Sequence, residues 1–497
     1  MKRTSVVAVV LLVLAAGVGA QEPATLTLEE AVALAMESNP DYQARLNDEA
    51  VADWQVRSAY AGLLPTASIG GGLSYQSGGQ SRIGGITSGD IGLGKTPSYY
   101  FSSYNASVNL NISGSKFYRL GRQQSSRRAV LADMDAAART LEAEVTLQYL
   151  AVLRTRDAVD LARAELERAE ANMALAEARR AVESATAIEV KQAGVERGRA
   201  EVGLLRAESS LENQKTRLLQ LIGLELGREV VLTSDVPIFE PTWQLESLVR
   251  TAVAAQPSLE AARASRETAE ADIGIARSAY WPTFNISTGL SGYTRRVGSD
   301  RYLLDQAQQS VVSQRENCLA LNQIFTRLDP PLPTQDCSEI VFTDEMRSQV
   351  LAQNDQFPFD FETEPASVSL SVSLPLFQGL SRQTQLETAH AAAEDASLRL
   401  RAEELRIRAD VETAYRDLQA AYRTVQLEER NAELADDQLR LARERYRVGS
   451  ASFLELMEAE ALKAQADREY LLGVYSFQES LTALEAAIGQ DLAIPEN

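Results

Sequence analysis

The sequence holds a single histidine, His390, and only two cysteines, Cys318 and Cys337. So few ligand-type side chains leave no recognisable Cys/His metal cluster, and no Ser/His/Asp set is recognisable either. The chain is therefore read as a non-enzyme, with no cofactor and no metal. Basic residues are also in deficit. A net charge of −20 gives no face for phosphate, which excludes nucleic acid as a partner. Beyond the first twenty residues there is no long uninterrupted apolar run, so the mature chain has no transmembrane helix. A β-barrel stays open, since its apolar band is modest.

What is present begins with a secretory signal, expected over residues 1–20. Lys2 and Arg3 form its charged region, Val6 to Leu14 its apolar core, and Val18-Gly-Ala20 a small-residue cleavage site. No cysteine lies at that site, so no lipid anchor is expected. An exported chain meets an oxidising compartment, and a loop disulfide between Cys318 and Cys337 is the natural reading. Spacing alone does not show that the two meet, and two unpaired thiols are the alternative.

The chain repeats itself. Val182, Ser184, Ala185 and Glu189 align with Val448, Ser450, Ala451 and Glu455. The same register runs back through Tyr149/Tyr415 and forward to Gly223/Gly489. Earlier, Pro40 aligns with Pro257 and Pro65-Thr66 with Pro282-Thr283, at a smaller offset. The second repeat therefore carries an insertion between its strands. A shared register of this length is an internal duplication. Each half reads helix, helix, strand, loop, strand, very long helix, turn, helix. The first repeat spans 21–238, with strands near 65–76 and 99–112 and a long helical hairpin over 113–223. The second spans 239–497, with strands near 282–293 and 366–377, a long inserted loop over 294–365, and a hairpin over 379–489.

The period changes mark these elements. Tyr104, Ala106, Val108, Leu110 and Ile112 alternate with Asn and Ser, as do Val368, Leu370, Val372 and Leu374 with serines. The arms are proline-free and rich in Ala, Leu, Glu, Arg and Gln. The arm from Ser113 to Val182 would run roughly 100 Å as one helix at about 1.5 Å per residue. A coiled coil or long bundle is the expected solution. Gly89 to Thr96 matches a P-loop letter for letter. However, a Gly/Ser-rich loop precedes it and Pro97 and a strand follow, so it is read as a loop. Tyr280-Trp281 and Phe377 lie at strand ends. An aromatic girdle and ordinary packing both account for them.

Four strands, apolar on one face and small and polar on the other, suit lipid outside and water inside. Four cannot close a barrel, and an open edge is not tolerated in lipid. Several copies must then build one barrel of eight, twelve or sixteen strands.

At this point the chain resembles the TolC-like outer membrane efflux protein family. The resemblance rests on the duplicated layout, Asn39-Pro40 and Gln256-Pro257, Leu64-Pro65 and Trp281-Pro282, Leu374-Pro-Leu-Phe-Gln-Gly379, and Tyr446-Arg-Val-Gly-Ser450. It implies an α+β membrane protein. As a homotrimer it would close a twelve-stranded barrel in outer-membrane lipid and carry a coiled-coil α-helical barrel in the periplasm. The function implied is a passive exit duct of a tripartite efflux or type I secretion system. Its partners would be a periplasmic adaptor and an inner-membrane transporter of the RND, ABC or MFS class. An exported coiled-coil structural or adaptor protein is the alternative. In the family frame the turns at Val182 and Ser184 and at Val448, Gly449 and Ser450 form the periplasmic tip. Glu455, Glu458 and Glu189 match lumen-facing carboxylates there, and Tyr446 an aromatic before the turn. The other reading of the three carboxylates is solvated helix positions in an acidic protein. Two departures stand out. Ala451 replaces a basic residue of some members, and Glu183 replaces the usual Gly of the first turn.

Overall fold

The computed structural model describes residues 24–80, 82–83, 86–87, 96–225, 230–234 and 236–493. The signal over 1–20 and the glycine-rich stretch from Gly89 to Lys95 lie outside the described residues. The chain divides into two units. One takes the residues up to Val56, Gly121–Ala271 and Thr388 onward; the other takes Arg57–Leu120 and Asp272–Glu387.

The elements in order are β1 (Ala24–Leu26), α1 (Leu28–Ser38), α2 (Pro40–Ala61), β2 (Thr66–Gln76), β3 (Arg82–Ile83), β4 (Ile86–Thr87), β5 (Tyr99–Ile112), α3 (Gly114–Ala181) and α4 (Ala187–Ile222). Then come β6 (Val230–Leu232), α5 (Leu245–Ala255), α6 (Pro257–Ser278), β7 (Thr283–Val297), α7 (Asp300–Phe325), α8 (Asp344–Asn354), β8 (Glu362–Thr363), β9 (Ser367–Ser373), α9 (Ser381–Arg447) and α10 (Phe453–Ile488). None of the described helices is long and apolar enough to cross a membrane.

In the helical unit the duplication is physical. Val145, Tyr149, Leu218 and Ile222 pack with Ala31 and Ala35 of α1. Their counterparts Val411, Tyr415, Leu484 and Ile488 pack with Leu248 and Ala252 of α5. Tyr149 donates its hydroxyl proton to the Leu26 carbonyl at 2.8 Å. Tyr415 does the same to the Trp243 carbonyl at 2.7 Å. Buried phenols need such a partner. The residue before each helix-breaking proline also has a task. Asn39 Nδ2 donates to Leu221 O at 2.7 Å, and Gln256 Nε2 to Ala487 O at 3.2 Å. Each amide satisfies a carbonyl left over in the last turn of α4 or α10. Gly223 (φ 89°) and Gly489 (φ 81°) end those helices in the left-handed region.

In the sheet unit, β2, β5, β7 and β9 form an antiparallel sheet in chain order, with β8 also on β7. The register puts Ile69 opposite Ala106, Leu110 opposite Ile286, and Ile286 opposite Leu370. These side chains share one face, and Ile69, Val368 and Leu370 are each more than three-fifths exposed. On the other face Ser68 meets Ser107 at 3.0 Å and Ser287 meets Ser369 at 2.6 Å. The outer edges of β2 and β9 have no partner strand among the described residues.

The inserted segment differs from the loop expected over 294–365. It holds α7, α8 and β8, while β7 runs on to Val297. Ser299 caps α7 by accepting from Tyr302 N at 3.3 Å, and Thr343 caps α8 by accepting from Met346 N at 3.2 Å. The prolines from Pro330 to Pro333 fall between the two helices, so they do not interrupt either. Cys318 and Cys337 are joined in a disulfide, with Cα atoms 5.8 Å apart. Buried Asn354 clamps the far end, accepting from Val297 N at 2.6 Å and donating to Val297 O at 3.0 Å. The fourth strand is shorter than expected and stops at Ser373, just before Pro375, which cannot donate to a ladder.

Candidate gate at the helical turns

The turns joining α3 to α4 and α9 to α10 share one construction. Ser184 N donates to Arg179 O at 2.8 Å and Glu183 N to Arg180 O at 3.0 Å. Ser450 N donates to Arg445 O at 2.8 Å and Gly449 N to Tyr446 O at 3.1 Å. These are the paired bonds of a Schellman motif, which requires a left-handed residue after the cap. Gly449 supplies it at φ 79° and Glu183 at φ 62°. Glu183 thus holds, with a side chain, the conformation that the second repeat gives to glycine. The next helices begin alike. Thr186 Oγ1 accepts from Glu189 N at 3.3 Å, and Ser452 Oγ from Glu455 N at 3.2 Å.

The carboxylates part ways after that. Glu189 Oε1 accepts from Thr186 N and Oγ1, both at 3.1 Å, completing a capping box. Its Oε2 accepts the Tyr446 hydroxyl at 3.2 Å. Glu455 instead faces Arg445 at 3.5 Å and its side chain is half exposed. Glu458 is exposed on α10. Tyr446 is fully buried. Its ring packs on Phe453 at 5.7 Å, and the Arg179 guanidinium lies 4.2 Å over its face. Arg179 Nη1 donates to Tyr446 O at 2.9 Å and Nη2 to Ser184 O at 3.0 Å. Burial first, and then the hydrogen bond to Glu189, push the Tyr446 phenol above its ordinary pKa. Beneath the turns Ala176, Ala193, Leu439, Leu456 and Ala459 close a small apolar cluster around Tyr446 and Phe453. Val182 and Val448 stay exposed.

Of the residues singled out in the sequence, Glu189 and Tyr446 are brought into contact, while Glu455 and Glu458 remain open to solvent. Sequence reasoning missed a charged seam further along α3 and α10. Glu460, with a largely buried side chain, accepts from Asn172 Nδ2 and Arg443 Nη2, both at 2.7 Å, and lies 3.4 Å from Arg168. Beyond it, Arg468 pairs with Glu165 at 3.0 Å and Arg154 with Glu479 at 2.8 Å. Tyr475 donates to Asp157 at 2.5 Å. Burial raises the pKa of Glu165 against the pull of Arg468 and Arg168. A signal existed: Arg154, Asp157, Leu161, Glu165, Arg168 and Asn172 recur at helical spacing, a mostly charged stripe on one face. Among the described residues no group of His, Cys, Asp and Glu is placed to hold a metal.

A duplicated helical hairpin, carried with a four-stranded sheet that has an apolar face and two unpaired edges, defines a subunit of an outer-membrane channel. The family model described as outer membrane efflux protein matches residues 31–224 and 341–490, one block in each repeat. The chain belongs to that family, whose members are channels and not enzymes, and it is an outer-membrane efflux duct that extends into the periplasm. A search of curated proteins finds no significant match. The fold is similar to that of the VceC outer membrane protein of Vibrio cholerae, with 18% identity, TM-score 0.66 and coverage of 93% of this chain and 96% of that one. It is similar to the CmeC outer membrane channel of Campylobacter jejuni, with 14% identity, TM-score 0.67 and coverage of 93% and 85%. The open state of the MtrE outer membrane channel of Neisseria gonorrhoeae is similar too, with 18% identity, TM-score 0.64 and coverage of 93% and 89%.

Proposed function

We propose that three copies of this chain form one passive duct, closed at rest by the turns around Glu189, Tyr446, Glu455 and Glu458. In this reading the duct receives cargo from a periplasmic adaptor and an inner-membrane transporter, and no chemistry occurs in it. The observation that carries the reading is the open sheet, with unpaired edges on β2 and β9 and an exposed apolar face. Such a sheet is costly in lipid until neighbouring copies pair its edges, and three copies supply twelve strands. The turns suit a constriction because the exposed carboxylates recur once per copy around the axis. A ring of like charge at a narrow point attracts cations and makes the constriction selective for them.

The test is assembly and conduction. Protein extracted from outer membranes should run as a trimer in native mass spectrometry and open discrete channels in planar bilayers. Release as a soluble periplasmic monomer would sink the reading.

A further inference from the structure

The polar face of the sheet is not uniform along its length. Over most of β2, β5, β7 and β9 it carries only Ser, Thr, Asn and Gly. The exceptions gather at one end, opposite to Ile112, where β5 runs on toward α3. Directly opposed residues of a sheet share a face. The register sets Ser74 beside Phe101 and Phe101 beside Arg295, then Ser103 beside Tyr293 and Tyr293 beside Glu362. Gln76 and Tyr99 lie one step further out on that face. The Phe101 and Tyr293 rings are stacked, with centroids 5.8 Å apart and planes inclined by 19°. Each is more than a third exposed. The Arg295 guanidinium lies 5.3 Å over the Tyr99 ring. Arg295, Glu362 and Gln76 are all exposed.

We infer that this end of the polar face is a binding site for the sugar rings of an oligosaccharide. The inference rests on the duct reading, in which this face lines the lumen and this end opens to the cell exterior. β5 and β7 are the inner strands of the sheet, so pairing at the outer edges of β2 and β9 leaves the two rings uncovered. A stacked pair keeps one open ring face at each end, and a sugar presents a flat C–H face that packs on it. A flat aromatic ligand would be satisfied by the rings alone. A sugar also carries hydroxyls around its edge, and each both donates and accepts. The site supplies both kinds of partner, because Arg295 donates, Glu362 accepts and Gln76 does both. A few polar groups placed around an apolar platform are what fix orientation in small-ligand sites. The remainder of this face, all small and uncharged, offers no ring to stack on and no charge to bond.

The test is binding of maltohexaose to the purified full-length protein in detergent, read by saturation-transfer NMR and by calorimetry. The parent should bind it saturably. Phe101→Ala with Tyr293→Ala should weaken binding by about tenfold, the loss expected for two stacked rings, while assembly and circular dichroism stay unchanged. Glu362→Gln and Arg295→Gln should each weaken it by a smaller factor. Naphthalenesulfonate, a flat aromatic without sugar hydroxyls, should bind more weakly than maltohexaose and be insensitive to Glu362→Gln. A native trimer that binds no maltohexaose, or binds it equally well without the two rings, would overturn the inference and leave the duct reading standing. Tighter binding of naphthalenesulfonate would overturn it as well, since the rings would then serve an aromatic ligand. A monomer by native mass spectrometry would sink the duct reading itself, and the placement of the site in a lumen with it.

Discussion

The Tyr446 hydroxyl donates to Glu189 across 3.2 Å and so ties the last turn of α9 to the first turn of α4. Residues from the two halves of the duplication meet here, and Arg179 Nη1 adds a second link by donating to Tyr446 O at 2.9 Å. Tyr446→Phe keeps the ring under Arg179 and against Phe453 but removes the donor. It should cost about 1 kcal/mol locally and raise the frequency of open events in single-channel recordings. The bond needs a protonated phenol. The native pKa is raised, so its contribution is complete below the ordinary phenol value near 10 and is lost as pH rises through the native one. Opening of the parent should therefore be independent of pH near neutrality, where the tie is fully made, and rise in strong alkali, while Tyr446→Phe shows no such alkaline rise.

Glu183 occupies, at φ 62°, the position that Gly449 fills at φ 79° in the other repeat. Left-handed backbone costs a side-chain-bearing residue about 1–2 kcal/mol. Glu183→Gly should stiffen the first turn, seen as slower proteolysis there. Gly449→Ala should loosen the second turn by a similar amount. Only the backbone opposes that methyl, because the nearest atom to it, Arg179 Nη2, is 3.8 Å away.

The two helix-ending glycines should not behave alike. A Cβ on Gly223 would stand 2.3 Å from the Ser38 carbonyl oxygen, which is backbone and cannot step aside. At Gly489 the nearest atom is Gln256 Oε1 at 2.8 Å, on a side chain that can move. Gly223→Ala should lower the thermal midpoint in detergent well beyond Gly489→Ala. Equal losses would mean that the packing of α4 against the Asn39 break has been misjudged.

Mass spectrometry without reduction should recover the Cys318 and Cys337 peptides joined, and free thiols in the exported protein would refute the bridge. Replacing both by Ser should loosen the inserted segment by about 3 kcal/mol, the usual effect of closing a loop of this size. Conductance should be unchanged, because both cysteines lie in the sheet unit and the proposed closure lies at the helical turns.

Much of this architecture could be read from period and register. Five alternating pairs specify β5, and the aligned Tyr149 and Tyr415 foretell equivalent cores because a repeat that folds twice must bury the same positions twice. Other features could not be read that way. Asn39 and Gln256 looked like plain helix breaks, since their carbonyl partners lie far away in sequence. The helices of the insertion were hidden by the neighbouring prolines, which draw the eye to a loop. Glu460 passed as one more acid in an acidic chain, because its burial depends on Arg443, Arg168 and Asn172 converging from two helices. At the turns the sequence grouped Glu189 with Glu455, yet the fold engages one carboxylate in a cap and leaves the other with an exposed arginine.

That difference makes Glu455 the residue to change. Its pair with Arg445, at 3.5 Å and largely exposed, is worth at most about 1 kcal/mol, so Glu455→Ala should leave folding and trimer assembly intact. Single-channel conductance and ion selectivity in planar bilayers then address the proposed closure directly. Glu455→Ala, alone or with Glu458→Ala, should raise conductance and weaken cation selectivity. A variant that conducts and selects like its parent would contradict a constriction at these turns.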